Sequence, residues 1–159
     1  MAPDDYPQTL RELLVGEAFG EAFFETLAAQ GRAPASIRLW SLAADVEALT
    51  FARLEPLVRQ HNADMSAACA DAAERARIQA GEFATRSCED IARYFQGRAI
   101  DGLKRFQKIE ADGPQGDLPV LRQVTAHSVA FGAFINHWLA GDVDAAAGAL
   151  QSFLDDTPR

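Results

Sequence analysis

Two glutamates lie at positions where the surrounding sequence is apolar at helical spacing. Glu17 lies seven residues after Leu10 and seven before Phe24, which places its carboxylate on an apolar helical stripe. Glu47 lies seven residues after Trp40, on a second stripe of the same kind. Two inward carboxylates on neighbouring helices repel each other unless they share a proton, bind a cation or accept hydrogen bonds. Both residues are therefore candidates for a buried charged site.

A third polar position falls at a similar depth on a later apolar segment. His127 and Ser128 lie between Val124 and Phe131, so one or both of them face inward. Carboxylates and an imidazole together suit iron, manganese or zinc. The candidate metal ligands are therefore Glu17, Glu47 and His127.

A purely structural role for these residues is an open alternative. Buried polar groups are usually satisfied by hydrogen bonds, and Trp40, Tyr94, Thr50 or water could supply them to the two glutamates. A solitary core histidine such as His127 often has this role too. Glu21 and Glu25 follow Glu17 at four-residue spacing and are expected to turn towards solvent.

Other reactive residues carry no recognisable motif. Cys69 and Cys88 are too few for a disulfide scaffold and are not spaced as a zinc-ligand pair, so we expect free thiols, mostly buried. The local motifs of nucleophilic hydrolases, phosphate-binding loops and metalloproteases do not occur. A set of phenylalanines at core positions could together line a small apolar pocket: Phe19, Phe23, Phe24, Phe95, Phe131 and Phe134.

The composition is that of an ordinary folded domain. The chain has 159 residues, of which 48% are hydrophobic and 24% charged, and we expect one domain over 1–159 with 1–8 flexible. A net charge of −8 disfavours nucleic acid and anionic lipid as partners. The sequence lacks the pattern of a signal peptide and any apolar run long enough to span a membrane, so we expect a cytoplasmic protein without a membrane partner.

Apolar residues recur at helical spacing along the whole chain and predict an all-α fold. The first helix should begin at a capping box at Thr9 and end where Gly31 takes a left-handed conformation. The second should begin at Pro34 and kink or break at Pro56. Further helices are expected over 65–84, where the helix is peripheral, over 87–109, after the loop at 112–116, and from Gly141-Asp142 to Leu154. Four long amphipathic segments with one longer connection describe a four-helix bundle with a crossover.

Three of these helices carry short motifs around the candidate ligands. In chain order they are residues 16–24 (GEAFGEAFF), 40–47 (WSLAADVE) and 126–131 (AHSVAF), followed by Gly141-Asp142. In this order the motifs resemble those of the ferritin-like superfamily, in particular the rubrerythrin-like bundles. The resemblance implies an up-down four-helix bundle with a crossover connection and a short C-terminal helix.

The resemblance also implies a di-metal site, which this chain matches only in part. Such sites take a glutamate from each of two helices and a Glu-x-x-His pair from each of the other two. Glu17 and Glu47 match glutamates of that set, but Thr50 stands where a histidine is expected. In the last long helix His127 or Ser128 replaces the carboxylate. We therefore do not expect ferroxidase or peroxidase chemistry.

The sequence favours a ferritin-like bundle without a complete di-iron site, acting as a non-catalytic binding or stress-related protein that needs no cofactor. One alternative is a metal-binding oxidoreductase or metal-storage protein with a reduced site for iron, manganese or zinc at Glu17, Glu47 and His127. Another is a helical protein–protein interaction module. A homodimer formed through an apolar helix face and a small apolar ligand are the candidate partners.

Overall fold

Six α-helices form the protein in a computed structural model, which describes residues 5–31, 33–61, 64–83 and 85–157. The helices are α1 (Asp5–Gln30), α2 (Pro34–Gln60), α3 (Ser66–Phe83), α4 (Cys88–Asp112), α5 (Leu118–Leu139) and α6 (Val143–Asp156). No strand occurs in these ranges, so the all-α prediction is confirmed. Within them, no helix combines the length and the apolar character needed to cross a membrane.

Two helix starts follow directly from local capping chemistry. The Ser87 hydroxyl accepts a hydrogen bond from the backbone N–H of Asp90, which satisfies a free donor at the start of α4. The Asp142 carboxylate does the same for Ala145 at the start of α6. Gly141 just before it adopts a φ of 81°, a left-handed conformation that glycine takes without steric cost. The predicted stop at Gly141-Asp142 is confirmed.

The first helix ends at Gln30, directly before Gly31 as predicted, but its start and the conformation of Gly31 differ from the prediction. It begins at Asp5, so Thr9 lies inside the helix and does not cap it. Tyr6 explains the early start, because its ring is buried and its hydroxyl donates to Asp117 Oδ2 at 2.8 Å, just before α5. Gly31 is not left-handed, since among the described glycines only Gly141 has a positive φ.

The N-terminal residues and Pro56 were expected to interrupt the helical structure, and the structure tests both expectations in part. Residues 5–8, expected to be flexible, form the first turn of α1, and residues 1–4 lie outside the described part. The second helix continues through Pro56 to Gln60 and does not break into a separate turn. Pro56 is exposed, so its ring lies away from the core.

The helices pack as two pairs with two additional helices against them. The pairs are α1 with α2 and α4 with α5; α3 covers α1, and α6 packs on α5 and α2. Phe23 and Phe95 are in ring contact near one end of the α1–α4 boundary, and Glu12 pairs with Arg105 near the other. The numbering along α1 and α4 thus runs in opposite directions. Few close backbone approaches join these two helices.

Buried apolar side chains form two clusters that leave a polar layer between them. One cluster is aromatic and includes Phe23, Phe24, Trp40 and Phe134. The other is mostly aliphatic and contains Leu10, Leu14, Leu54 and Leu121. On α2 and α5 the chain passes from one cluster to the other at a buried polar residue, Glu47 and His127 respectively. On α1 the buried Glu17 lies next to Ala18, the last member of the aliphatic cluster on that helix.

Candidate metal centre

The structure brings together the three residues that the sequence singled out. One ligand atom from each of Glu17, Glu47 and His127 lies within 4.8 Å of the others. His127 Nδ1 is 3.7 Å from Glu17 Oε2, and His127 Nε2 is 3.5 Å from Glu47 Oε1. All three residues are buried: the relative exposure is 3% for Glu17, 8% for Glu47 and 5% for His127. Three separate helices thus supply one group of donors.

Several atoms of this group have no hydrogen-bond partner. Both ring nitrogens of His127 and Oε2 of Glu17 are buried and unpaired within the described residues. The separations of 3.5 and 3.7 Å between imidazole and carboxylates are too long for hydrogen bonds. Leaving such atoms unsatisfied costs about 1 to 3 kcal/mol each, and more for charged groups. A cation among them would bind one ring nitrogen and the Glu17 oxygen, and would leave the other ring nitrogen as a donor.

Of the residues suggested as structural partners, Thr50 donates elsewhere and Tyr94 has a neighbour of its own. The Thr50 hydroxyl donates to the backbone oxygen of Val46 at 2.9 Å within its own helix. The Tyr94 hydroxyl accepts a hydrogen bond from Gln79 at 3.0 Å. Thr50 also occupies the place where the family pattern has a histidine, and its hydroxyl is committed to the helix. The site therefore has one imidazole and two carboxylates within the described part of the chain.

Glu17 and Glu47 are electrostatically coupled. Burial raises the pKa of Glu17 well above its usual range, and the charge of Glu47 and a hydrogen bond with Glu47 raise it further. Without a cation, burial and the neighbouring charge therefore favour the protonated form of Glu17.

The neighbouring glutamates of α1 lie progressively further from this pair. The Glu21 side chain is half-buried, and burial, then Glu25 and then Glu47 raise its pKa. Glu25 is exposed, as the sequence indicated. Glu21 is thus less solvated than we expected, and the negative charge of Glu47 influences it.

A glycine on α1 provides the space for one of the ligands. A Cβ built at Gly20 would lie 2.5 Å from Cδ of Glu47 and 2.6 Å from its Oε2, closer than such atoms ever approach. The Glu47 carboxylate therefore lies where a side chain at position 20 would be. Sequence reasoning missed this role, although a glycine inside a long helix was an available signal because glycine weakens helices.

A cleft of about 380 Å³ between α1 and α4 leads to the three donors. All three line it, together with Ser128 of α5. Five of the six expected aromatic residues line the cleft as well, along with Phe106; the five are Phe19, Phe23, Phe24, Phe95 and Phe131. The exposed residues Glu12, Arg98 and Arg105 also line it, so the cleft reaches the surface. The arginines and Glu12 were not among the sequence candidates.

The two cysteines are free and lie away from this cleft. Cys69 is buried, and burial followed by the charge of Glu55 raises the pKa of its thiol. Cys88 is half-buried, with its Sγ 3.2 Å from the Ser36 hydroxyl oxygen. The expectation of free thiols is confirmed.

Comparisons with protein-family models, with curated proteins and with solved structures gave no match. The chemistry of the site must therefore be argued from its own atoms.

The donor set fits a single divalent cation. Two carboxylates balance a charge of +2, and imidazole with carboxylate oxygen suits iron, manganese and zinc. Two donors each about 2.1 Å from one ion lie at most about 4.2 Å apart. Each ring nitrogen of His127 meets that limit with one carboxylate, Nδ1 with Glu17 at 3.7 Å and Nε2 with Glu47 at 3.5 Å, and an ion can bind only one of the two nitrogens. Because each ring nitrogen of His127 faces a carboxylate, one could bind the ion while the other donates to an oxygen, a common arrangement for metal-ligating histidines.

Proposed function

We propose that this protein is a ferritin-like helical bundle that binds one iron, manganese or zinc ion through Glu17, Glu47 and His127. What supports the metal site is one observation: three buried donor groups converge while both His127 nitrogens and one Glu17 oxygen lack partners. The ferritin-like assignment draws on the order of the motifs and on the antiparallel running of α1 and α4. It also draws on α3, which occupies the long connection between the two helix pairs.

A single ion narrows the chemistry that this bundle can perform. Two-metal reactions need a second set of bridging carboxylates, and the described residues place only these three ligand candidates together. A bound iron or manganese ion would supply Lewis-acid and one-electron redox chemistry at the inner end of the cleft. The two carboxylates would neutralise the charge of the ion, and the cleft would connect it to the surface. We therefore favour a mononuclear metal-dependent protein over a metal-storage protein.

Elemental analysis tests this proposal. Protein purified without chelator, and then loaded anaerobically with Fe²⁺, Mn²⁺ or Zn²⁺, should retain close to one ion per chain after desalting. Glu17→Gln and Glu47→Gln keep the side-chain volume but remove a charged ligand, so both should lose the ion. Glu25→Gln is the matched control, because Glu25 is an exposed glutamate on the same helix. Equal metal content in all four proteins, or none in any, would overturn the metal site.

A second candidate function follows from the raised pKa of Glu17, which burial and the charge of Glu47 cause. If the carboxyl pair shares a proton permanently, no cation is needed and the bundle is a non-catalytic binding protein. This candidate predicts no metal in any preparation. It also predicts that saturating metal leaves the thermal unfolding temperature unchanged.

A further inference from the structure

The cleft above the three ligand candidates has apolar walls and a cationic outer rim. Phe19, Phe95 and Phe106 contribute rings to its lining, while Arg98 and Arg105 line it from exposed positions on α4. Its volume of about 380 Å³ falls in the range of small-molecule sites, about 300 to 1,000 Å³. The cleft is therefore large enough for an organic molecule and not only for a few waters.

Small residues on both helices keep the cleft open. Gly16 and Gly20 line it from α1, and Ala99 and Gly102 line it from α4. A Cβ at Gly16 would touch nothing within 4 Å, so this wall borders open space. Large side chains in these places would close the distance between the helices. The cleft is thus open because the facing residues of α1 and α4 are small.

The two rim arginines differ in their partners. Arg105 forms an ion pair with Glu12 across the cleft, from α4 to α1. Arg98 forms no ion pair within the described part of the chain, and its guanidinium carbon lies 4.6 Å from the centre of the Tyr94 ring. The rim thus offers one cation without a counter-ion, supported from one side by an aromatic face.

The inner end of the cleft, unlike the cationic rim, does not attract an anion in metal-free protein. With a divalent cation bound, the carboxylates of Glu17 and Glu47 bring the charge of the site to neutral, and without it they leave a negative charge. In metal-free protein the inner end therefore disfavours an additional anion, because burying it beside another charge of the same sign is costly. The complementary molecule is therefore apolar at its inner end and anionic at its outer end.

We propose that the cleft binds a small monocarboxylic acid with an aryl or short alkyl body. Its carboxylate contacts Arg98, and its body lies along the phenylalanine rings towards the metal ligands. An uncharged molecule lacks the interaction at the rim, and a dicarboxylic acid would bring a second negative charge towards Glu17 and Glu47. That the acid lies next to a metal ion rests on the proposed function. Its binding to the cleft does not.

Isothermal titration calorimetry with phenylbutyrate and with the uncharged phenylbutanol tests the proposal. Both should bind, the acid more tightly, and added salt should weaken only the acid because it screens the rim charge. In Arg98→Gln the acid should lose about five- to tenfold in affinity, as expected for a half-exposed charged hydrogen bond. The alcohol should bind Arg98→Gln unchanged. Arg93→Gln is the matched control, since Arg93 is exposed on the same helix and pairs with Glu89 away from the cleft.

A second variant fills the cleft without touching its charges. Gly16→Leu places a large side chain in the open space and favours helix, so it should fold and should bind neither probe. Equal affinity of the acid for wild type and Arg98→Gln, or unaltered binding in Gly16→Leu, would overturn the proposal.

Metal content measured on the same samples separates the two proposals. Binding of the acid to metal-free protein, with no metal retained by any preparation, would sink the metal site and leave the cleft proposal standing. Retained metal without binding of either probe would overturn the cleft proposal and leave the metal site standing.

Discussion

The carboxylate of Glu47 lies 2.5 Å from the point where a side chain at Gly20 would begin. A residue on α1 thus determines, by having no side chain, where a candidate ligand on α2 can lie. Gly16, four residues earlier on α1, has open space at the equivalent point. The two glycines therefore form a natural pair for separating the effect on the helix from the effect on the site.

Gly20→Ala should weaken metal binding while the fold is retained. The new methyl group must displace the Glu47 carboxylate, so we expect the dissociation constant for Mn²⁺ or Zn²⁺ to rise at least about tenfold, the low end for disturbed ligand positioning. Gly16→Ala should leave that constant unchanged and raise the free energy of unfolding by about 0.5 to 1 kcal/mol, because alanine favours helix. Competition titration with a chromophoric chelator measures the constants. Similar metal affinities in the two variants would argue that Glu47 is not a ligand.

Metal-free protein should lose stability as the pH rises. The pKa of Glu17 is raised in the folded state by burial and then by Glu47, so the folded protein holds a proton that the unfolded chain releases near pH 4.3. This stabilisation is complete below that pH and declines, by up to about 1.4 kcal/mol per pH unit, as the pH rises towards the folded-state pKa. Urea unfolding from pH 5 to 8 should show the decline in wild type.

Glu17→Gln provides the comparison for this pH dependence. Glutamine resembles the protonated acid in shape and cannot ionise, so the decline should largely disappear, and at pH 8 the metal-free variant should be more stable than wild type. The exposed Glu25→Gln should follow wild type across the range. An identical slope in Glu17→Gln and wild type would show that another group is responsible.

His127→Phe should abolish metal binding and raise the stability of the metal-free protein. The ring of His127 contacts Phe106, Phe131 and Phe153, so a phenyl ring at this position meets an aromatic environment. Removing two unpaired buried nitrogens should raise the unfolding free energy of metal-free protein by about 1 to 2 kcal/mol. The same change should abolish the stabilisation that metal gives wild type, about 2.7 kcal/mol at one hundred times the dissociation constant. Thermal unfolding with and without Zn²⁺ measures both effects.

His137→Phe controls for adding a phenyl ring to α5, because His137 is exposed near the end of the same helix. It should keep the response to metal. If His127→Phe responds to Zn²⁺ as wild type does, the imidazole is not a ligand.

The ion pair between Glu12 and Arg105 should slow exchange through the cleft. Both side chains are about half exposed, so Arg105→Gln should change the unfolding free energy by less than about 1 kcal/mol. Breaking the pair frees the rim between α1 and α4, and we expect EDTA to remove bound metal several-fold faster. Stopped-flow chelation measures this rate, and Arg93→Gln, which breaks a pair within α4, should behave as wild type. A rate unaffected by Arg105→Gln would indicate another route to the ion.

Local chemistry was sufficient to predict some helix limits and insufficient for others. The caps at Ser87 and Asp142 involve hydrogen bonds to residues three positions away, so a local pattern predicts them well. The start of α1 depends on Tyr6 reaching Asp117 across 111 positions of the chain, and no local pattern contains that contact. The capping-box prediction at Thr9 was wrong for this reason.

Periodicity alone identified several of the polar residues that face the core. Glu17, Glu47 and His127 were identified because helical spacing relates each to apolar neighbours on its own helix. Only the tertiary structure decided that the three meet within 4.8 Å, that Gly20 makes room for Glu47, and that a cleft separates α1 from α4. The physical reason is that spacing along one helix specifies a direction, whereas the distance between helices depends on the sizes of the side chains packed between them.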